Sequence, residues 1–183
     1  MAYRKTEKVL AQLEAKRSAL VAAALDVIEK VGLDGLTTDL VAERAGVAAG
    51  LLYRYFPDKT ELLAAAVAQC LERDLSAMKE ASNTGGLPGA VAVLASRLVS
   101  NYRIVSQISR FPAYREGIRR ELARLIRSAG SDAAESPAIL ASVVYGALFE
   151  AAGHIRPRDE PALCAAVLRL VGAKITKRAG APA

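Results

Sequence analysis

The chain has 183 residues, of which 52% are hydrophobic and 24% charged, with a formal net charge of +6. That length suffices to bury a sizeable core, either in one compact domain or in a small domain joined to a larger one. Cys70 and Cys164 stand far apart with no C-x-x-C, which points away from a zinc site or a disulfide framework. No run reaches the ~18 consecutive apolar residues of a membrane span, and Glu7, Glu14 and Asp26 interrupt any signal-peptide core. A cytoplasmic location with no membrane partner is expected.

Alanine, leucine and arginine dominate, and no run alternates apolar and polar residues in the manner of a strand, so an all-α fold is predicted. An N-terminal arm from Met1 to about Leu13 carries Arg4, Lys5 and Lys8. It either extends the first helix or reaches DNA beside the main site. Leu20, Ala24, Val27, Ile28 and Val31 form the apolar face of the first helix, and Gly32 is its stop.

The run from Leu36 to Phe56, LTTDLVAERAGVAAGLLYRYF, reads as two short helices around a glycine turn. Thr37 is the predicted N-cap of a helix over 38–45, and Gly46 the left-handed residue that ends it. Val41 with Ala45, and Leu52 with Phe56, give each helix an inward stripe. The opposite face of the second helix carries Ala49, Gly50, Tyr53 and Arg54. Asp58 and Glu61 form a capping box for the next helix, with Lys59 in its first turn. A cation there opposes the helix dipole, and a phosphate anion would account for it.

These residues resemble the N-terminal signature of the TetR family of bacterial transcriptional regulators. Gly35, Leu36, Thr37, Val41, Ala42, Ala45, Gly46 and Val47, then Gly50, Leu52, Tyr53 and Phe56, then Lys59, keep that family's spacing over roughly residues 16–70. The resemblance implies DNA-backbone contacts from Thr37, Thr38, Tyr53, Tyr55 and Lys59, and base reading from Ala49, Gly50, Leu51 and Arg54. The chain departs from the pattern at Ala48, Ala49 and Leu51, where hydroxyl, basic or amide side chains are common. Direct readout is therefore poorer in hydrogen bonds, with Leu51, Ala48 and Ala49 expected to touch thymine methyls and Arg54 the main polar reader. Asp39 is read as a first-turn residue lying off the interface.

Charge alone does not carry the DNA reading. Nine Lys and Arg balance nine Asp and Glu within residues 1–62, so the whole excess lies further along the chain. Between Arg97 and Arg127 stand eight arginines and two glutamates, and Arg120, Arg124 and Arg127 share one helical face. That face is either a solvated surface or a site for an anionic effector or an extra phosphate contact.

The helix opening at Asp58 is expected to run to about Ala81, with Leu62, Leu63, Ala66, Val67, Cys70 and Leu71 inward, and to link the reader to a second unit. Ser82 to Gly86 reads as a loop, followed by a helix from Pro88 to about Ser109 and another over 113–129 that Gly130 ends. Ser131 to Glu135 is a further loop. Pro137 to Ile155 and Pro161 to Lys174 form the last two helices, both strongly apolar.

In TetR-like proteins the last two helices form a four-helix dimer interface, which implies a homodimer joined by Ala141, Val144, Leu148, Ala151, Leu163, Val167 and Leu170. The alternative is that both helices are internal core. Tyr102, Phe111, Tyr114, Tyr145 and Phe149 either line an effector pocket or are plain core. His154 is the sole histidine, and no nucleophile has an evident base partner, so neither an enzyme nor a metal or cofactor site is expected. The resulting picture has a three-helix helix-turn-helix domain over 1–62 and a helical effector-binding and dimerisation domain over 63–183. Its expected role is that of a ligand-responsive repressor of a palindromic double-stranded DNA operator. A helical adaptor that binds only protein is the alternative.

Overall fold

A computed structural model describes residues 2–130 and 136–172, with side chains from residue 7 onward. The described residues form eight α-helices and no strand: α1 (Ala2–Gly35), α2 (Thr38–Ala45), α3 (Ala49–Tyr55), α4 (Lys59–Ser100), α5 (Tyr102–Ile108), α6 (Pro112–Ser128), α7 (Pro137–Ala152) and α8 (Glu160–Leu170). A single 3-10 turn, Pro157–Asp159, precedes α8.

The N-terminal arm is helical and continuous with α1. Leu20, Ala24, Val27 and Ile28 are buried, and with Leu36, Val41, Leu52, Phe56 and Leu62 they make the core on which α2 and α3 sit. Val31, expected on that inward face, is exposed instead. The helical run breaks at Gly32 (φ 77°, ψ 174°), and Val31 sits just before the chain turns toward α2.

α4 carries the chain out of this small core. Its residues Leu62, Ala66, Val67, Cys70 and Met78 face inward, and it packs against α1 at one end and against α6, α7 and α8 further along. The loop expected over Ser82–Gly86 is absent: Ser82 to Thr84 are helical, and the break is confined to Gly86 (φ 58°, ψ −149°). The hydroxyls of Ser82 and Thr84 donate to the carbonyls of Lys79 and Ala81, at 2.8 and 3.4 Å, so these polar side chains follow the helix rather than end it. The helix expected to continue to Ser109 is divided at Asn101, whose backbone leaves the helical region and whose amide donates to the Arg97 carbonyl at 3.0 Å.

α7 ends at Ala152, short of the expected Ile155, because the amides of His154 and Ile155 both turn back to the Ala151 carbonyl. α8 ends at Leu170. The loop expected at Ser131–Glu135 and the helix end expected at Lys174 lie outside the described residues. No described helix is long and apolar enough to cross a membrane.

Candidate nucleic-acid interface

Thr37 opens α2 as the sequence predicts. Its backbone is extended (φ −126°, ψ 155°), and its hydroxyl accepts from the Leu40 amide at 3.2 Å. Gly46 closes α2 in the left-handed region (φ 68°, ψ 34°), donating back to the carbonyls of Ala42 and Glu43. Three residues later, at Ala49, α3 starts. Leu52 and Phe56 anchor it in the core, so Gly50, Tyr53 and Arg54 are turned outward, while Ala49, expected on that face, is half-buried and the exposed alanine is Ala48, just before the helix.

Several polar groups on this surface are already engaged. The Tyr53 hydroxyl and Thr38 Oγ1 are 3.0 Å apart and share a hydrogen bond, which fixes the start of α2 to the outer face of α3. Lys59 Nζ donates to the Leu33 carbonyl at 3.3 Å, joining the start of α4 to the end of α1. Asp58 caps α4 by accepting from the Glu61 amide at 2.8 Å. Arg44 pairs with Asp26 at 2.5 Å, and the Arg17 guanidinium lies 4.9 Å from the centre of the Phe56 ring. Arg54, by contrast, is exposed and makes no ion pair or hydrogen bond with any described residue. Tyr55 is half-buried against the core, and Asp39 is exposed in the first turn of α2.

Gly50 is informative because nothing inside the protein demands it. Its φ lies outside the left-handed region, and a Cβ built on it meets no atom within 4 Å. A helical glycine is about 1 kcal/mol less favourable than alanine, and the bare backbone here leaves room for a close approach from outside.

In the second half of the chain the five aromatic candidates do not form one open pocket wall. Tyr102, Phe149 and Tyr145 make a row, with centroids 6.0 and 5.9 Å apart, that runs from the half-buried rim inward. Phe111 is half-buried at the head of α6. Tyr114 is fully buried, and its hydroxyl donates to Asp74 Oδ2 at 2.6 Å.

Asp74 was not singled out by the sequence, although an acid in the inward stripe Val67, Cys70, Asp74, Met78 was the available signal. It is only 2% exposed and accepts from Arg97 Nε as well as from Tyr114. Burial, reinforced by the Asp74 carboxylate, pushes the Tyr114 phenol far above its ordinary range. Burial also pushes the Tyr145 phenol up to about 12. The Tyr145 hydroxyl has no partner at hydrogen-bond geometry among the described residues.

The residues expected at a subunit interface divide into two sets. Ala141, Val144, Leu148 and Val167 are buried inside the protomer, so they retain no surface for a second chain. Ala151 and Leu163 are half-buried, and Leu170 is 63% exposed. The outward apolar residues of α7 are instead Ile139 and Val143, 59% and 47% exposed. Gly146 continues their line, and a Cβ on it would meet nothing within 4 Å.

A capped helix, a left-handed glycine turn and a second helix presenting a bare, singly charged face define a helix-turn-helix protein. Residues 20–66 match the family model described as bacterial regulatory proteins, tetR family. The chain is 40% identical over 73 residues to the HTH-type transcriptional repressor KstR of Mycolicibacterium smegmatis, a stretch covering 40% of this chain and 36% of that one. It is 37% identical over 102 residues to the class A tetracycline repressor of transposon 1721 from Escherichia coli, covering 56% and 43% of the two chains. These matched stretches thus span less than half the length of either curated relative. Over nearly the whole fold it is similar to the crystal structure of a TetR-family transcriptional regulator from Pectobacterium atrosepticum, with a TM-score of 0.65 and 26% identity over 91% of this chain and 97% of that one. The chain thus carries a segment of the tetR family over residues 20–66 and is similar in fold, over most of its length, to a TetR-family transcriptional regulator.

Proposed function

We propose that this chain is a sequence-specific DNA-binding repressor that binds a palindromic operator as a homodimer and releases it when a small molecule enters its C-terminal helices. The observation that carries the reading is the outward face of α3, where Gly50 leaves the backbone bare beside an Arg54 that has no partner among the described residues. Thr37, Thr38, Tyr53, Tyr55 and Lys59 surround that face as backbone-contacting groups, and Ala49, Gly50, Leu51 and Arg54 face the bases. The ammonium of Lys59 has three donors, so its bond to Leu33 leaves two for a phosphate.

Residues 1–62 act as the reader and residues 63–183 as the effector-binding and dimerisation part, with α4 running through the boundary. The dimer is formed through the outward faces of α7 and α8, using Ile139, Val143, Gly146, Ala166 and Leu170. A bare Gly146 allows close approach of a partner helix, as a bare Gly50 allows close approach of DNA. Two readers related by a C2 axis match half-sites about 34 to 36 Å apart. Of the five aromatic candidates, the half-buried Tyr102, Phe111 and Phe149 are the ones an effector can reach, and that effector lowers operator affinity only by preferring the DNA-incompetent state. The protein works in the cytoplasm.

Selection of bound sequences from random duplex DNA by the full chain tests this reading. Enrichment of a palindrome supports it. No enrichment by a folded dimer would contradict it and favour a helical adaptor that binds only protein.

A further inference from the structure

We infer that the operator half-site is read chiefly through thymine methyl groups, with a single guanine taken by Arg54. The inference rests on the DNA-binding reading above. Thr37 accepts from the Leu40 amide, the Thr38 and Tyr53 hydroxyls share a bond, Arg44 pairs with Asp26, and Lys59 holds the Leu33 carbonyl. Each of these groups is held where it can contact the DNA backbone or is turned away from it. Arg54 alone is charged, outward on α3 and free of any partner among the described residues. A guanidinium is the side chain that takes guanine O6 and N7 together.

The remaining side chains in the first turn of α3, Ala49 and Leu51, are apolar. Leu51 is half-buried, yet it is not among the partly buried residues that pack on the core, whereas its neighbour Tyr55 is. A leucine with neither core contact nor full exposure is available to an apolar surface outside the chain. Ala49 flanks it, and Gly50 between them adds no side chain to hold the helix away. The apolar group that the major groove offers is the 5-methyl of thymine. Leu51 and Arg54 are therefore the specificity-determining residues.

The test uses the full chain and the duplex it selects, with single bases altered. Replacing thymine by deoxyuridine removes only the methyl, and replacing guanine by 7-deazaguanine removes only the N7 acceptor. Expected are a loss of about three- to fourfold at one or two thymines of each half-site and of about five- to tenfold at one guanine. The deoxyuridine effect should vanish in Leu51→Ala and the 7-deazaguanine effect in Arg54→Ala. A palindrome that is bound tightly but is indifferent to deoxyuridine at every position would overturn the inference while leaving the DNA-binding reading intact. Failure to select any sequence would overturn both. Because the base changes are made in the DNA, the wild-type chain alone decides the matter if a variant does not fold.

Discussion

Lys59 and Leu33 are 26 residues apart in the chain, yet the Lys59 ammonium donates to the Leu33 carbonyl at 3.3 Å. This bond explains a cation in the first turn of a helix, where the dipole disfavours it. The carbonyl it satisfies lies where the end of α1 turns toward α2. Lys59→Met should lower stability by about 1 kcal/mol, read by urea unfolding. It should also weaken binding to all duplexes alike and reduce the salt slope by about one. An unchanged salt slope would confine Lys59 to the structural role.

The two glycines of the reader should respond oppositely to alanine. Gly46 is left-handed at φ 68°, so Gly46→Ala should destabilise the fold by about 1 to 2 kcal/mol. Gly50 has open space and unstrained backbone, so Gly50→Ala should leave stability unchanged or raise it by about 0.5 to 1 kcal/mol. DNA affinity should nonetheless fall several-fold in Gly50→Ala. Thermal unfolding and operator titration, run on the same samples, separate the two effects.

Gly146 offers the corresponding test of the subunit interface. Gly146→Leu fills space that is empty in the single chain, so the protomer should fold normally while sedimentation shows a shift from dimer to monomer. Val144→Ala, by contrast, opens a cavity in the protomer core and should lower stability by about 1 to 3 kcal/mol without a specific effect on association.

Asp74 ties the two segments of α4 to α6 through Arg97 and Tyr114. Removing the carboxylate strands a partly buried guanidinium and a buried phenol, so Asp74→Ala should cost about 3 to 5 kcal/mol. Tyr114→Phe removes one bond and should cost about 1 to 2 kcal/mol. Equal effects in the two variants would contradict the proposed centrality of the carboxylate.

Burial raises the Cys70 thiol from 9.0 to about 11. The neutral thiol is favoured in the folded state, so its contribution is fully present below pH 9 and is lost as pH rises through about 11. Urea midpoints should therefore decline over that window, and Cys70→Ala should remove part of the decline. At pH 8 Cys70 should react with a thiol reagent only when the chain unfolds.

The helix-turn-helix was largely legible in the sequence because its signals are local: Thr37 caps the helix that follows it, Gly46 must be left-handed, and Asp58 sits three residues from its partner amide. The C-terminal part was less so. α7 is apolar on nearly every face, so periodicity could not separate Val144 and Leu148, which point into the protomer, from Ile139 and Val143, which point out. The Ser82–Gly86 run carries the composition of a loop, but hydroxyls that bond back to preceding carbonyls are compatible with a helix, and only Gly86 bends the chain. The role of Asp74 depends on Arg97 and Tyr114, 23 and 40 residues away, which no local pattern reveals.

The central claim is that α2 and α3 read DNA in pairs. The most direct measurement is an anisotropy titration of the full chain on the selected palindrome and on a scrambled duplex, with wild type and Arg54→Ala in parallel. Two chains per palindrome are predicted, with a preference over scrambled DNA that Arg54→Ala reduces by about five- to a hundredfold. Equal affinity of the folded wild-type chain for both duplexes would contradict the account.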